Sequence, residues 1–238
     1  MSNAFFEIPI PINEPVKEFR DGSIEKKELL NTIQEMKKNQ VDIPMIINGK
    51  EVKTSKKIEI RAPHNHKLKL GTFNEGDESH VKMAIDAALK AKKEWGSMSW
   101  QSRASIFLKA AELIAGPYRS KINGSTMLGQ SKNVFQAEID AACEFIDFLN
   151  FNGSYMEEIY KNQPESSDGM WNRLDYRPLE GFVFAISPFN FTSIAGNLCA
   201  SPALMGNTVV WKPAYPQIYS ANIIMEVFKE AGLPDGVI

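Results

Sequence analysis

Hydrophobic residues recur at helical spacing through much of the first two thirds of the chain. They return every three or four positions, the period at which side chains share one face of a helix. Ser23 and Asp77 stand just before two of these stretches, and both are residue types that accept hydrogen bonds at a helix N-terminus. The pattern predicts helices over about 23–40, 77–95, 100–115, 118–129 and 132–160.

Short strand patterns separate the first of these helices from the second. Asn48-Gly49 lies within residues 45–52, and such a pair supplies the positive φ angles of a two-residue type I′ turn. Residues 57–61 alternate Ile58 and Ile60 with polar side chains, as a half-buried strand does. The sequence therefore predicts a hairpin followed by one further strand.

After residue 180 the pattern changes to strands that alternate with helices. Alternation at this spacing is typical of βαβ units and a parallel sheet. The elements predicted are a strand at 182–187, a helix at 193–205, a strand at 207–212, a helix at 217–231 and the lead into a third strand at 235–238.

The segment before this alternation, residues 161–178, is polar and ends in a run that contains Trp171 and Tyr176. We interpret it as a loop plus a strand with an exposed edge, because sheets pair across subunits through such edges. Trp171 and Tyr176 are then expected to pack in a sheet that two subunits share.

Composition places the chain among ordinary globular proteins. Of its 238 residues, 43% are hydrophobic and 24% are charged, and the formal net charge of −2 gives no electrostatic reason to expect nucleic acid or an anionic membrane as a partner. Two cysteines do not make a disulfide framework. The start resembles no secretory signal and is not rich in arginine, so we predict the cytoplasm, with the mitochondrial matrix as the alternative.

Asn190 lies where the strand at 182–187 has ended and the next helix is about to begin. Ligands of open α/β sheets bind at this carboxyl edge, and an amide beside a helix N-terminus is suited to stabilise an oxyanion. The alternative is that Asn190 only caps the helix, since asparagine is a favoured cap. Lys212 ends the next strand, where a cation can bind ribose hydroxyls or be an ordinary surface lysine.

His64 and His66 form an H-x-H pair that could suggest a metal site. The chain has one other histidine, and no cysteine lies near the pair. We therefore predict a polar turn at these residues and no metal site.

The run Ile186-Ser187-Pro188-Phe189-Asn190-Phe191-Thr192, with Gly206-Asn207-Thr208-Val209-Val210-Trp211-Lys212-Pro213, resembles the aldehyde dehydrogenase superfamily. The sequence of these motifs is most similar to that of the branch that oxidises glutamate γ-semialdehyde, the 1-pyrroline-5-carboxylate dehydrogenases. The resemblance covers nearly the whole chain and is most specific over 180–213. It implies oxidation of that semialdehyde to glutamate with NAD⁺ during proline catabolism.

The same resemblance implies roles for five residues. Asn190 matches the family's oxyanion donor, and Lys212 matches the lysine that contacts the NAD ribose. Ser187 and Phe189 match positions whose backbone lines the cofactor site, while Glu144 matches a glutamate that approaches the substrate. Many relatives continue after the Lys-Pro pair with a serine and an acidic residue, whereas this chain has Ala214 and Tyr215. The choice between NAD and NADP as the cofactor therefore stays open.

Other parts of the family's active site have no match in this sequence. Cys143 and Cys199 lack the surroundings of the nucleophile and are predicted to be buried, and no glutamate matches the general base. No Gly-x-Gly-x-x-Gly occurs. We therefore predict the N-terminal part of such an enzyme, inactive by itself. The alternatives are an inactive nucleotide-binding or dimerisation module, or a dehydrogenase for another aldehyde.

The resulting expectation is an α/β, aldehyde dehydrogenase-like fold in four parts. Residues 1–44 form an arm and a helix, and residues 45–160 form the helical part of a cofactor-binding domain. Residues 161–180 form an oligomerisation flap through which a homodimer or larger homo-oligomer assembles. Residues 181–238 form the first, truncated βαβα half of a Rossmann-like sheet.

Overall fold

A computed structural model describes residues 5–238, in which an extended arm at 5–22 precedes alternating groups of helices and strands. The helices are α1 (Ile24–Lys38), α2 (Glu78–Ser97), α3 (Trp100–Ala115), α4 (Arg119–Gln130), α5 (Val134–Ala137), α6 (Glu144–Lys161), α7 (Thr192–Leu204) and α8 (Ile218–Glu230). The strands are β1 (Val41–Ile43), β2 (Met45–Ile47), β3 (Lys50–Val52), β4 (Lys57–Ala62), β5 (Asn65–Asn74), β6 (Val183–Ile186) and β7 (Val209–Lys212).

Both predicted helix caps are confirmed. The Ser23 hydroxyl accepts a hydrogen bond from the backbone N–H of Lys26 at the start of α1. The Asp77 carboxylate accepts from the backbone N–H groups of Ser79 and His80, and the His80 ring closes a capping box. Each cap satisfies donors that the first helical turn cannot pair internally.

The strands before α2 are more extensive than the sequence pattern predicts. The β2–β3 hairpin turns at Asn48 and Gly49, whose φ angles of 51° and 71° confirm the expected turn. β4 pairs with β5 in antiparallel fashion, and β1 adds to β5 in parallel. Neither β1 nor β5 is predicted, because β1 is only three residues long and β5 begins with exposed polar residues. The segment 45–160 is therefore helical only from α2 onward.

The helix predicted over 132–160 is interrupted by a π-helical turn. α5 continues into a π-turn at Glu138–Cys143, which leads directly into α6. A π-turn carries one more residue per turn than an α-helix, so it shifts the faces of α5 and α6 relative to each other. It also buries Glu138 completely.

The main core includes a set of aromatic side chains contributed by four helices. Phe228 of α8 makes edge-to-face contacts with Phe107 and Phe145, at ring-centroid distances of 6.0 and 6.1 Å. Trp95 of α2 contacts Phe107 in the same way at 6.5 Å. Gly196 allows α7 to approach this core, because a Cβ at that position would lie 2.2 Å from Cζ of Phe145.

β6 and β7 form the parallel pair that the alternating pattern predicts. Their register pairs Val183 with Val209 and Ile186 with Lys212. The predicted lead into a third strand is not a strand here, but Val237 lies beside β7, where its carbonyl accepts from the N–H of Val209 at 2.7 Å.

The strand predicted within the flap is wrong for the described chain, since no strand occurs between α6 and β6. Residues 161–177 are all exposed, and Trp171 keeps 83% of its surface. Local side chains supply the hydrogen bonds that a second strand would otherwise make: Gln163 accepts from the N–H of Leu174, and Tyr176 donates to the carbonyl of Asn162. Among residues 5–238 no strand pairs with this segment.

The arm is held to the helices by a buried cluster around Arg119. Its guanidinium donates to the Glu138 carboxylate at 3.1 Å, to Glu14, and to the carbonyl of Pro15 at 2.9 Å. Asn123 and the N–H of Lys17 also donate to Glu138. Burial by itself raises the pKa of Glu138, but these hydrogen bonds outweigh burial and hold it below its ordinary value. Glu138 is therefore charged in the folded protein at neutral pH.

We expect Arg119→Met to destabilise the chain by about 3–5 kcal/mol, because the buried Glu138 carboxylate loses its cationic partner. The measurement is the free energy of unfolding by urea, followed by circular dichroism. Arg20→Met is the matched control, since the Arg20 side chain is 78% exposed and should be replaceable without measurable effect. Equal stability of the two variants would contradict the assigned role of the cluster.

Candidate active site

Asn190 lies in a short loop, residues 187–191, that joins the carboxyl end of β6 to the N-terminus of α7. Phe189 and Asn190 form the outer part of this loop, with Phe189 62% exposed and Asn190 half-buried. The N-cap residue of α7 is Phe191, which makes no capping hydrogen bond with its side chain. Asn190 is therefore not the cap of this helix, and the capping alternative is excluded.

Ser187 anchors the first end of the loop. It is 4% exposed, and its hydroxyl accepts from the indole N–H of Trp211 at 3.0 Å and donates to Oε1 of Gln217 at 3.2 Å. The N–H of Ser187 also donates to the carbonyl of Lys212 at 3.4 Å. The loop therefore leaves β6 with its backbone still bound to β7.

Thr192 anchors the second end. Its buried hydroxyl lies 2.8 Å from that of Thr126, accepts from the Gln130 amide at 2.8 Å and donates to Ser220 at 3.1 Å. Thr126 and Gln130 belong to the last turns of α4, so the first turn of α7 is fixed against a neighbouring helix.

The two anchors are joined beneath the loop by the residues that begin α8. The Ser220 hydroxyl donates to the carbonyl of Gln217 at 3.1 Å, while the Gln217 side chain holds Ser187. Gln217 is completely buried, and its Nε2 has no hydrogen-bond partner among residues 5–238. The hydrogen bonds that Gln217 and Ser220 do make connect both anchors to the start of α8. The residues on both sides of Asn190 are thus held by hydrogen bonds to Gln217 and Ser220.

Lys212 is the last residue of β7 and is exposed at the same edge of the sheet as the Asn190 loop. Its ammonium lies 5.1 Å from the centroid of the Tyr215 ring, within the range of a cation–π interaction. β6 and β7 are parallel, and Ile186 is in register with Lys212. Lys212 and the Asn190 loop therefore lie at the same edge of the sheet. This edge is where ligands of parallel α/β sheets bind.

Glu144 lies against the first turn of the helix that follows the Asn190 loop. It is the first residue of α6, and its carboxylate accepts a hydrogen bond from the hydroxyl of Ser193 in the first turn of α7. Asn190 lies three positions before Ser193. The structure therefore brings together Asn190 and Glu144 around the start of α7, with Ser187, Phe189 and Lys212 toward β7.

Both cysteines of the described chain are buried. Cys143 is buried, and burial together with the neighbouring Glu138 raises the pKa of its thiol to about 12. Cys199 is fully buried in the core, and this burial raises the pKa of its thiol well above the ordinary value. Thiols with such pKa values are almost entirely protonated at neutral pH, and the thiolate is the reactive form.

The two histidines of the H-x-H pair do not converge. His64 lies in the turn between β4 and β5, with its ring 2.8 Å from the Ser131 hydroxyl, whereas His66 belongs to β5. Across residues 5–238 no group of three or more potential ligands is placed to hold a metal ion. Nor is any helix in that part of the chain long and apolar enough to cross a membrane.

Comparison with known proteins decides the family. The sequence profile of the Aldehyde dehydrogenase family matches residues 51–238 of this chain. The chain belongs to the aldehyde dehydrogenase family. The α/β, aldehyde dehydrogenase-like fold expected from the sequence is confirmed by the solved structures that it matches.

Three relatives illustrate the match to this aldehyde dehydrogenase. The delta-1-pyrroline-5-carboxylate dehydrogenase of Agaricus bisporus is 51% identical over 237 residues, which cover 99% of this chain and 43% of that protein. The human mitochondrial enzyme of that name is 46% identical over 95% of this chain and 40% of its own length. The crystal structure of the delta-pyrroline-5-carboxylate dehydrogenase from Mycobacterium tuberculosis bound with NAD matches with a TM-score of 0.98 at 47% identity. The match covers 100% of this chain and 44% of that chain.

These values confirm the predicted resemblance to the 1-pyrroline-5-carboxylate dehydrogenase branch. They also show that the chain spans less than half the length of the relatives it matches. The roles of Asn190, Lys212, Ser187, Phe189 and Glu144 stay predictions.

Sequence reasoning missed the supporting residues of the site, chiefly Gln217, Ser220 and Thr192. Polar side chains in the first turns of otherwise apolar helices are the one signal that could have revealed them. Their partners lie 28 to 90 residues away in the sequence, so the network itself required the tertiary structure.

We expect neither thiol of the folded chain to react with Ellman's reagent at neutral pH, because burial keeps both Cys143 and Cys199 protonated and inaccessible. Denaturation in guanidinium should release both thiols. Ser167→Cys, in the exposed flap, is the positive control and should be labelled at once. Rapid labelling of the unmodified folded chain would contradict the burial of its cysteines.

Proposed function

We propose that this chain supplies the oxyanion donor and part of the cofactor site of an NAD-dependent dehydrogenase that oxidises glutamate γ-semialdehyde to glutamate. The observation that carries the proposal is the Asn190 loop, anchored at both ends at the edge of the sheet from which Lys212 also emerges. The names of the Agaricus and human relatives and the NAD in the mycobacterial structure support the substrate and the cofactor.

The residues at this edge fit a nicotinamide dinucleotide. Lys212 forms no salt bridge within residues 5–238, so its ammonium is free to donate to the hydroxyls of a ribose. Ser187 uses its side chain internally, which leaves only the backbone of the loop, with Phe189, to face the cofactor. NAD⁺, when bound, supplies the hydride acceptor for oxidation of the aldehyde carbon.

Asn190 has the chemistry that nucleophilic attack on an aldehyde requires. Attack at the carbonyl carbon turns the carbonyl oxygen into an oxyanion, and a fixed amide N–H stabilises that charge more than it stabilises the starting carbonyl. The anchors at Ser187 and Thr192 fix the backbone on both sides of this donor, which lowers the cost of reorganisation. The hydrogen bond from Ser193 to Glu144, at the start of the helix that follows Asn190, supports the proposed role of Glu144 as a substrate contact.

The nucleophile must come from outside the described residues, because Cys143 and Cys199 are both buried with raised thiol pKa values. We therefore propose that residues 1–238 are one part of the catalytic unit. "Full-length enzyme" below denotes residues 1–238 continued to the length of the relatives. If no natural continuation of residues 1–238 is available, the part of the Agaricus relative that follows the matched region is fused to residue 238.

Assembly and location complete the proposal. The flap carries a row of exposed apolar side chains that suits pairing with a second subunit: Met170, Trp171, Leu174 and Leu179. The proposed partner is a second copy of this chain. The cytoplasm is the proposed compartment, and the name of the human relative supports the mitochondrial matrix as the alternative.

We expect Asn190→Ala to lower kcat of the full-length enzyme by about 10²–10³, the usual loss when one oxyanion donor is removed. The dissociation constant for NAD⁺ should stay within about twofold, because the side chain serves the reacting carbonyl. Steady-state kinetics and fluorescence titration provide the two values. Asn31→Ala, an exposed site on α1, is the matched control and should leave both unchanged. A loss confined to NAD⁺ binding would refute the oxyanion role.

Residues 1–238 alone should produce no NADH above background from glutamate γ-semialdehyde and NAD⁺, monitored at the absorbance of NADH, whereas the full-length enzyme should turn over. Turnover by residues 1–238 would overturn the argument that the nucleophile lies outside them. Inactivity of both proteins would favour the alternative of an inactive nucleotide-binding or dimerisation module.

A further inference from the structure

Tyr215 occupies the place beside Lys212 where it can meet the same ribose. β7 ends at Lys212, and Tyr215 begins the short 3₁₀ turn Tyr215–Gln217 that leads into α8. Its ring lies 5.1 Å from the Lys212 ammonium. Both side chains line a cavity of ≈ 440 Å³, and Glu75 forms part of the same wall. Any ligand group held by Lys212 from this cavity therefore also faces Tyr215.

The hydroxyl of Tyr215 is committed as a donor. It donates to Oε1 of Glu75 at 2.6 Å, and the Glu75 carboxylate also pairs with the ammonium of Lys56. The bond to Glu75 raises the pKa of Tyr215, and the bonds from Lys56 and Tyr215 lower the pKa of Glu75. At neutral pH the phenol therefore keeps its proton, and that proton points toward a charged carboxylate.

This arrangement distinguishes a hydroxyl from a phosphate. A phenol oxygen whose proton is already used can only accept, and a ribose 2′-hydroxyl can donate to it. A 2′-phosphate has no proton to donate near neutral pH and brings further negative charge. In dinucleotide folds an acidic residue near this ribose selects for NAD, whereas a cation there accommodates the phosphate of NADP.

The charges around the cavity act in the same direction. Glu75 offsets the positive charge of Lys56, which would otherwise join Lys212 in attracting a phosphate. Asp77 also lines the cavity, but its carboxylate is held by Ser79 and His80 and is not shared with Tyr215. Glu75 is thus the carboxylate that controls the Tyr215 hydroxyl.

We propose that Glu75, acting through Tyr215, makes the ribose end of the Lys212 site selective for a dinucleotide without a 2′-phosphate. This inference rests on the proposed function, since it assumes that Lys212 holds the ribose. Glu75 directly follows β5, 140 residues before Tyr215, and supplies the acidic group that is missing directly after Lys212-Pro213 in the sequence.

The test compares dissociation constants of NAD⁺ and NADP⁺ for the full-length enzyme and its variants. Glu75→Ala frees the phenol proton and leaves Lys56 unpaired, so we expect the affinity for NADP⁺ to rise about tenfold while that for NAD⁺ changes less than about threefold. Glu75→Gln keeps an acceptor for Tyr215 and removes only the charge, so its effect on NADP⁺ should be smaller and of the same sign.

Two further variants distinguish the proposed role of Glu75 and Tyr215 from the effect of removing any nearby carboxylate. Tyr215→Phe removes the acceptor and should weaken NAD⁺ binding by about two- to tenfold without improving NADP⁺ binding. Glu78→Ala removes a neighbouring carboxylate whose one salt bridge among residues 5–238 is to Lys82 on the surface of α2, and should change neither constant. Melting temperatures identify any variant that fails to fold, and Glu75→Gln and Tyr215→Phe then decide the matter.

The outcomes keep this inference apart from the proposed function. An enzyme that binds NAD⁺, with the ratio of the two constants unchanged in both Glu75 variants, overturns the role of Glu75 and leaves the proposed function standing. An unmodified enzyme that binds NADP⁺ as tightly as NAD⁺ also overturns the role of Glu75 and leaves the proposed function standing. An unmodified enzyme that binds neither dinucleotide overturns both.

Discussion

The geometry of the candidate active site depends on the buried hydrogen bonds beneath residues 187–191. Gln217, at the end of the 3₁₀ turn, holds Ser187, and Ser220 in the first turn of α8 holds Thr192, which is held again by the end of α4. Buried hydroxyls and amides are costly unless they are paired, so the paired arrangement strongly favours one position of the loop. Asn190 inherits that position, although its own side chain lies outside the network.

The helical layer supplies the second constraint. Gly196 lets α7 pack directly on Phe145, and this close approach sets Ser193 against Glu144. The π-turn before α6 places Glu138 in the interior, where Arg119 ties it to the arm. The core, the arm and the Asn190 loop are therefore linked through one long helical segment, from Val134 to Lys161.

Much of the fold could be predicted because its signals are local. Helix caps at Ser23 and Asp77, the Asn48-Gly49 turn and the strand–helix alternation after residue 180 each depend on neighbouring residues. β5, the π-turn and the conformation of the flap could not be predicted, because each is decided by what lies beside it in space. A polar strand such as β5 becomes a strand by pairing with β1 and β4.

The sequence by itself determined the family, the order of the later elements and the residues at the carboxyl ends of β6 and β7, including Asn190 and Lys212. It also showed that Ala214 and Tyr215 replace the serine and acidic residue expected after Lys212-Pro213. Only the tertiary structure shows that Glu75, the residue after β5, lies against the hydroxyl of Tyr215. The physical reason is that hydrogen bonds and charges act over a few ångströms in space, whereas sequence motifs record only neighbours along the chain.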